Sequence, residues 1–145
     1  MLNDIIGFHP SLAAFLLRLC LGIIFIVHGV PKLFREDFGP VGFSGMLKNI
    51  GVPSPLFFAY VVGIVEFVGG WLLLVGLLTR LTALLLTINM IVAIWKVKFK
   101  TGFVTRTTEG GGGYEFDFAL LTMSLVITIF GGGKFSIDYL YLQAW

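Results

Sequence analysis

Apolar residues fall into four long runs separated by short polar connections. Ser11 to Pro31 is interrupted only by Arg18 and His28, and Ser54 to Thr79 has Glu66 as its one acid before the chain reaches Arg80. Leu81 to Trp95 is framed by Arg80 and Lys96, and Phe116 to Phe130 starts beside Glu115 and Asp117 and stops at Gly131-Gly132-Gly133. A hydrocarbon core of about 30 Å takes about 20 apolar residues of helix. Backbone polar groups in lipid must be bonded internally, which selects helices over open strands. The third run is short, and its flanking basic residues extend it by snorkelling. The pattern predicts an all-α four-transmembrane-helix bundle, a single membrane domain over 1–145 with spans at 11–33, 54–79, 80–99 and 115–131. The first run is too long for a signal-peptide core and lacks a small-residue cleavage site, so it is read as a retained span.

The connections differ in character. Phe43, Met46, Leu47 and Ile50 recur at i, i+3, i+4 and i+7 with Ser44, Lys48 and Asn49 between them, the pattern of a short amphipathic helix lying in the interface between helices 1 and 2. Gly76-Leu-Leu-Thr-Arg80 reads as a tight turn that makes its flanking helices antiparallel neighbours. Lys96 to Gly113 carries alternating lysines, then Glu109 and four glycines without the Lys and Ser/Thr of a phosphate loop. The tail, Ile137 to Trp145, is rich in Tyr, Leu and Trp and is expected at the membrane surface.

Composition narrows the class. The chain is 57% hydrophobic and 12% charged, about half the charge of a soluble domain, which excludes an ordinary soluble enzyme and a disordered chain. A net charge of +2 implies no nucleic-acid partner. The single cysteine, Cys20, excludes an internal disulfide and a redox cysteine pair, and no metal-ligand set is expected. Lys32, Arg35, Lys48, Lys96, Lys98, Lys100 and Arg106 lie in the first and third connections, against Arg80 and Lys134 on the other side. The positive-inside rule puts those two connections in the cytoplasm and both termini in the periplasm.

Ionisable residues within the apolar runs are the candidates for function, because a charge at mid-bilayer costs about 2.5–3.5 kcal/mol on insertion scales. Helical spacing places Arg18, His28 and Lys32 along one stripe of the first helix. Glu66 and Glu115 are the expected carboxylate partners, while Asp117, about 200° from Glu115 around the same helix, faces elsewhere. Counting rise per residue sets Glu66 between the levels of Arg18 and His28. Glu66, His28 and Glu115 are therefore the candidate proton carriers. Arg18, Lys32, His28, Glu66 and Asn89 are the candidate ligand contacts. Histidine titrates near neutrality, and a buried carboxyl can be shifted toward it, equipment suited to moving protons or holding an anionic or quinone-like ligand. Each residue also has an architectural reading: Glu66 with Arg18 as a bundle lock, and Asn89 as interhelical glue.

The ordered set Arg18-Leu-Cys-Leu-Gly22, His28-Gly29-x-x-Lys32, Gly51-Val-Pro53, Glu66-x-x-Gly-Gly70, Gly76-x-x-Thr-Arg80, Gly113-Tyr-Glu115 and Gly131-x-Gly-x-x-Ser-x-Asp138 resembles the DoxX family of small four-helix membrane proteins. The resemblance implies a bundle in a bacterial cytoplasmic membrane. The family is named for a subunit of a thiosulfate:quinone oxidoreductase, so it also implies association with redox partners. It marks Arg18, His28, Lys32, Glu66, Arg80, Glu115 and Asp138, with Arg80 and Asp138 expected to pair on the terminal side. The chain has no haem-ligand pair on facing helices and no flavin motif, so electrons would pass through a soluble or membrane redox partner or a quinone. Three classes stay open: a subunit of a quinone-linked oxidoreductase, a non-catalytic scaffold or assembly module, and a small-solute or proton pathway. Exposed apolar faces also allow a homo-oligomer.

Overall fold

The computed structural model describes residues 10–104 and 112–142. Arg106, Glu109 with the first two of the four glycines, and the end of the tail through Trp145 lie outside the described residues. All regular structure among the described residues is helical: α1 (Pro10–Phe34), α2 (Gly39–Asn49), α3 (Pro55–Val75), α4 (Thr79–Ala93), α5 (Glu115–Phe130) and α6 (Ile137–Leu142). The α4 axis continues through a π-helical turn, Ile94–Lys98, and a 3₁₀ turn, Phe99–Thr101.

Local chemistry sets the helix ends. Pro55 opens α3, where its missing N–H costs nothing. Gly76 closes α3 in the left-handed conformation, φ +72°, and the amides of Gly76 and Leu77 return to Leu72 and Leu73 carbonyls. The second helix therefore stops at Val75, short of the expected boundary near 79, and only two residues separate the Gly76 cap from Thr79 at the start of α4.

Among the described residues, three helices, counting α4 with its π turn, are long and apolar enough to cross a membrane: Pro10–Phe34, Pro55–Val75 and Thr79–Lys98. These correspond to the first three of the four expected spans. With 16 residues, α5 rises about 24 Å, short of a hydrocarbon core of about 30 Å. The amphipathic segment between the first two spans is helical, but Phe43 and Leu47 are buried against Ala59 of α3. Much of the apolar stripe expected to face the membrane interface is thus spent on protein.

α1 lies antiparallel along α3 at close range. A Cβ added at Gly29 would meet the Phe67 amide nitrogen at 2.6 Å, and one at Gly70 the Gly22 carbonyl at 2.7 Å. Small residues at such crossings let helix backbones approach, the usual device in lipid. α5 packs on α4, α4 on α3, and α2 on α3. Leu21, Phe25, Leu73, Leu86 and Ile127 fill the shared core, while large apolar side chains such as Ile23, Val27, Ile64 and Trp71 face outward. Such an outer surface suits lipid and not water.

Candidate functional site

Where α1 ends, α3 begins and α4 unwinds, the helices leave a cavity of about 240 Å³. Its walls are mainly apolar, with Phe25, Phe43, Leu47, Val62, Met90 and Leu120 among them. Glu66 enters from α3 and is 2% exposed. Lys32 of α1 bonds its Oε2, and Asn89 of α4 donates from Nδ2 to its Oε1 at 2.8 Å. The Phe43 ring of α2 lies 5.1 Å from the Lys32 ammonium, close enough for a cation–π attraction. A buried carboxylate is tolerated only when its lone pairs are satisfied, and here both oxygens are engaged by different helices.

A second ion pair faces the same cavity. Lys98 Nζ lies 2.5 Å from Asp117 Oδ2, and both residues line the cavity. Lys98 reaches it because of the π turn. In an unbroken α-helix Lys98 would stand about 180° from Asn89, and one extra residue in the turn cuts that to about 80°. His28 also lines the cavity but is exposed at its rim, its ring 6.2 Å from that of Phe116.

The candidates therefore separate into two groups. Lys32, His28, Glu66 and Asn89 share the cavity. Arg18 does not. It is fully buried at the opposite end, donating from Nη1 to the Leu73 carbonyl at 3.0 Å and from Nη2 to the Phe135 carbonyl at 2.7 Å. The pairing of Arg18 with Glu66 is corrected accordingly. Counting rise from helix ends missed the α1–α3 register, in which the Gly22–Gly70 and Gly29–Phe67 contacts bring Glu66 level with the last turns of α1. Arg18 instead complements the negative C-terminal end of α3.

The Arg80–Asp138 pair is likewise not formed. Asp138 accepts the Leu78 and Thr79 amides, each at 2.7 Å, and so caps the N-terminus of α4. Arg80 is exposed. At the start of α5 the acid that faces the cavity is not the expected one. Asp117 is buried and faces the cavity, whereas Glu115 is not among its lining residues. The angular separation of these acids was legible in the sequence; the rotation of α5 was not. Lys96 and Lys98 were visible only as part of an alternating basic run, and the π turn that brings them to the cavity has no sequence signature.

A family model for DoxX matches residues 13–99, more than half of the chain. The chain belongs to the DoxX family. It is 38% identical over 128 residues to "Putative oxidoreductase CatD" of Bacillus subtilis, covering 88% of this chain and 86% of that protein. It is 34% identical to the uncharacterized membrane protein Rv3486 of Mycobacterium tuberculosis, covering 84% and 77% of the two chains. An uncharacterized Haemophilus influenzae protein is 30% identical over 94% of this chain and 96% of its own length. No solved structure is significantly similar. The DoxX match, with the long apolar helices, makes this a multi-pass membrane protein. The matched stretch holds Lys32, Glu66, Asn89 and Lys98, whereas Asp117 lies beyond it.

Proposed function

We propose that this DoxX protein is a subunit or accessory of a quinone-linked membrane oxidoreductase system, and that its cavity receives the ring of a quinone or quinol. The observation that carries this reading is the Lys32–Glu66–Asn89 constellation at an otherwise apolar cavity. An empty apolar cavity of about 150 Å³ is enough for a benzene ring, so 240 Å³ accommodates one substituted ring. Glu66 has the chemistry to take or return a proton at a ring oxygen, Lys32 to stabilise negative charge there, and Asn89 to orient the carboxylate. His28, at the exposed rim, would exchange that proton with the surroundings. Electrons would come through a redox partner. The oxidoreductase in the name of the Bacillus relative agrees with this reading.

The reading extends to the setting. The whole chain acts as one domain in a bacterial inner membrane, with α5 completing four spans by drawing on snorkelling and local thinning of the bilayer. The basic cavity end then lies on the cytoplasmic side and the termini in the periplasm.

Purified protein in lipid nanodiscs, extracted and assayed for quinone, tests the function. Near-stoichiometric quinone in the wild type, reduced in Glu66→Gln of unchanged helicity, is the expected result. No quinone in the extract, together with no saturable binding of an added short-chain quinone, overturns it. The scaffold reading has one observation in its favour, since both lysine–carboxylate pairs also tie helices together. It predicts loss of folding in Glu66→Gln and no ring binding in the wild type.

A further inference from the structure

Two acid–lysine pairs flank one cavity, on helices that do not pack against each other. Glu66 is on α3 and Asp117 on α5, and α3 and α5 make no substantial contact. The space between them is the cavity itself. Each station offers the same chemistry: a carboxylate oxygen that accepts a hydrogen bond and an ammonium group that donates one. A single ring hydroxyl or carbonyl needs only one such station. The second is expensive to keep, because a carboxylate 8% exposed as a residue, in an apolar wall, is held against its desolvation. The α4 helix also gives up regular winding at Ile94–Lys98, which is what turns Lys98 onto this face, and π turns recur at functional sites.

We propose that Asp117 and Lys98 form a second polar station that determines specificity. By this assignment the cavity selects a ring with two oxygen substituents, one at each acid–lysine pair, over a ring with one. The inference rests on the ring-binding reading above and adds to it Lys98, inside the family match, and Asp117, beyond it. Each oxygen would donate its proton to, or accept a hydrogen bond from, its own pair. A two-oxygen ligand would then be held at both ends and a one-oxygen ligand at only one.

The test is equilibrium binding of phenol and of the three dihydroxybenzene isomers to the full-length protein in nanodiscs. Hydrogen bonds to charged groups contribute about 1.5–3 kcal/mol, so at least one dihydroxy isomer is expected to bind about tenfold or more tighter than phenol. Asp117→Asn and Lys98→Met are expected to erase that gap while leaving phenol affinity within about twofold, because the first station is intact. A merely structural role for the pair would lower all affinities together and preserve the gap, which overturns the proposal. Phenol binding as tightly as every dihydroxy isomer in the wild type also overturns it, even where neither variant folds, and leaves the ring-binding reading standing. Binding of no ring at all removes both.

Discussion

Asn89 and Glu66, on neighbouring helices α4 and α3, share a hydrogen bond of 2.8 Å that fixes one carboxylate oxygen while Lys32 of α1 takes the other. Three helices are thus tied through one buried acid. Its neutralisation is architectural and chemical at once, and substitutions can separate the two roles.

Glu66→Ala leaves the Lys32 ammonium in a mainly apolar cavity with its counter-ion gone. Removing one partner of a buried pair costs about 3–5 kcal/mol, whereas replacing both with apolar residues is often neutral. The single variant is expected to show a strongly lowered unfolding temperature in detergent. Lys32→Met combined with Glu66→Leu is expected to recover most of that stability while losing quinone binding. A double variant as unstable as the single one would contradict the assignment of this pair.

Arg18 holds the far end of the bundle. Its guanidinium joins the last carbonyls of α3 to the Phe135 carbonyl of the loop after α5. Arg18→Lys keeps the charge but cannot reproduce the fork, so the turn at 135–138 should lose amide-exchange protection, with the cavity ligand still bound by the folded fraction. Unchanged exchange at Phe135 and Ser136 would contradict this.

Asp138 caps α4, and Arg80 is not its partner. Asp138→Ala is expected to cost about 1–2 kcal/mol, the range for a lost N-cap. Arg80→Ala, at an exposed position, should stay within about 0.5 kcal/mol of the wild type. A double-mutant cycle should give coupling near zero, and a coupling above about 1 kcal/mol would restore the ion pair.

The crossing of α1 and α3 depends on the absence of side chains. Gly29→Ala would drive a methyl group into the Phe67 backbone, at 2.6 Å. Overpacking of this kind costs about 1–3 kcal/mol, and it should also part Lys32 from Glu66 and weaken ring binding. Gly45→Ala, with nothing within 4 Å of the new methyl, serves as the control, expected to leave both stability and binding unchanged. Equal effects at the two sites in a detergent melt would refute the close-packing account.

Much of this protein was legible from one chain because the signals are local. Apolar length announces lipid-exposed helices, glycine at 76 marks a turn, and a 3.6-residue period places Arg18, His28 and Lys32 on one face. That same arithmetic could not say which of them a carboxylate meets, since Arg18 and Lys32, fourteen residues apart, stand about 21 Å apart along the axis. It placed Glu115 and Asp117 on different faces of their helix but led to the wrong choice between them, because the rotation of α5 that turns Asp117 to the cavity is not in the period.

Sequence alone determined the helical class and the membrane setting, because each follows from composition and periodicity within a segment, while the ordered motifs carried the family resemblance and most of the ionisable residues to watch. Tertiary structure decided which of those residues meet: Glu66 with Lys32 and Asn89, Lys98 with Asp117, Arg18 and Asp138 with helix ends. Pairing depends on the sliding register and rotation of one helix against another. Those are set by contacts such as Gly29 on Phe67 and by a π turn in α4, neither of which is written in the period of any single helix.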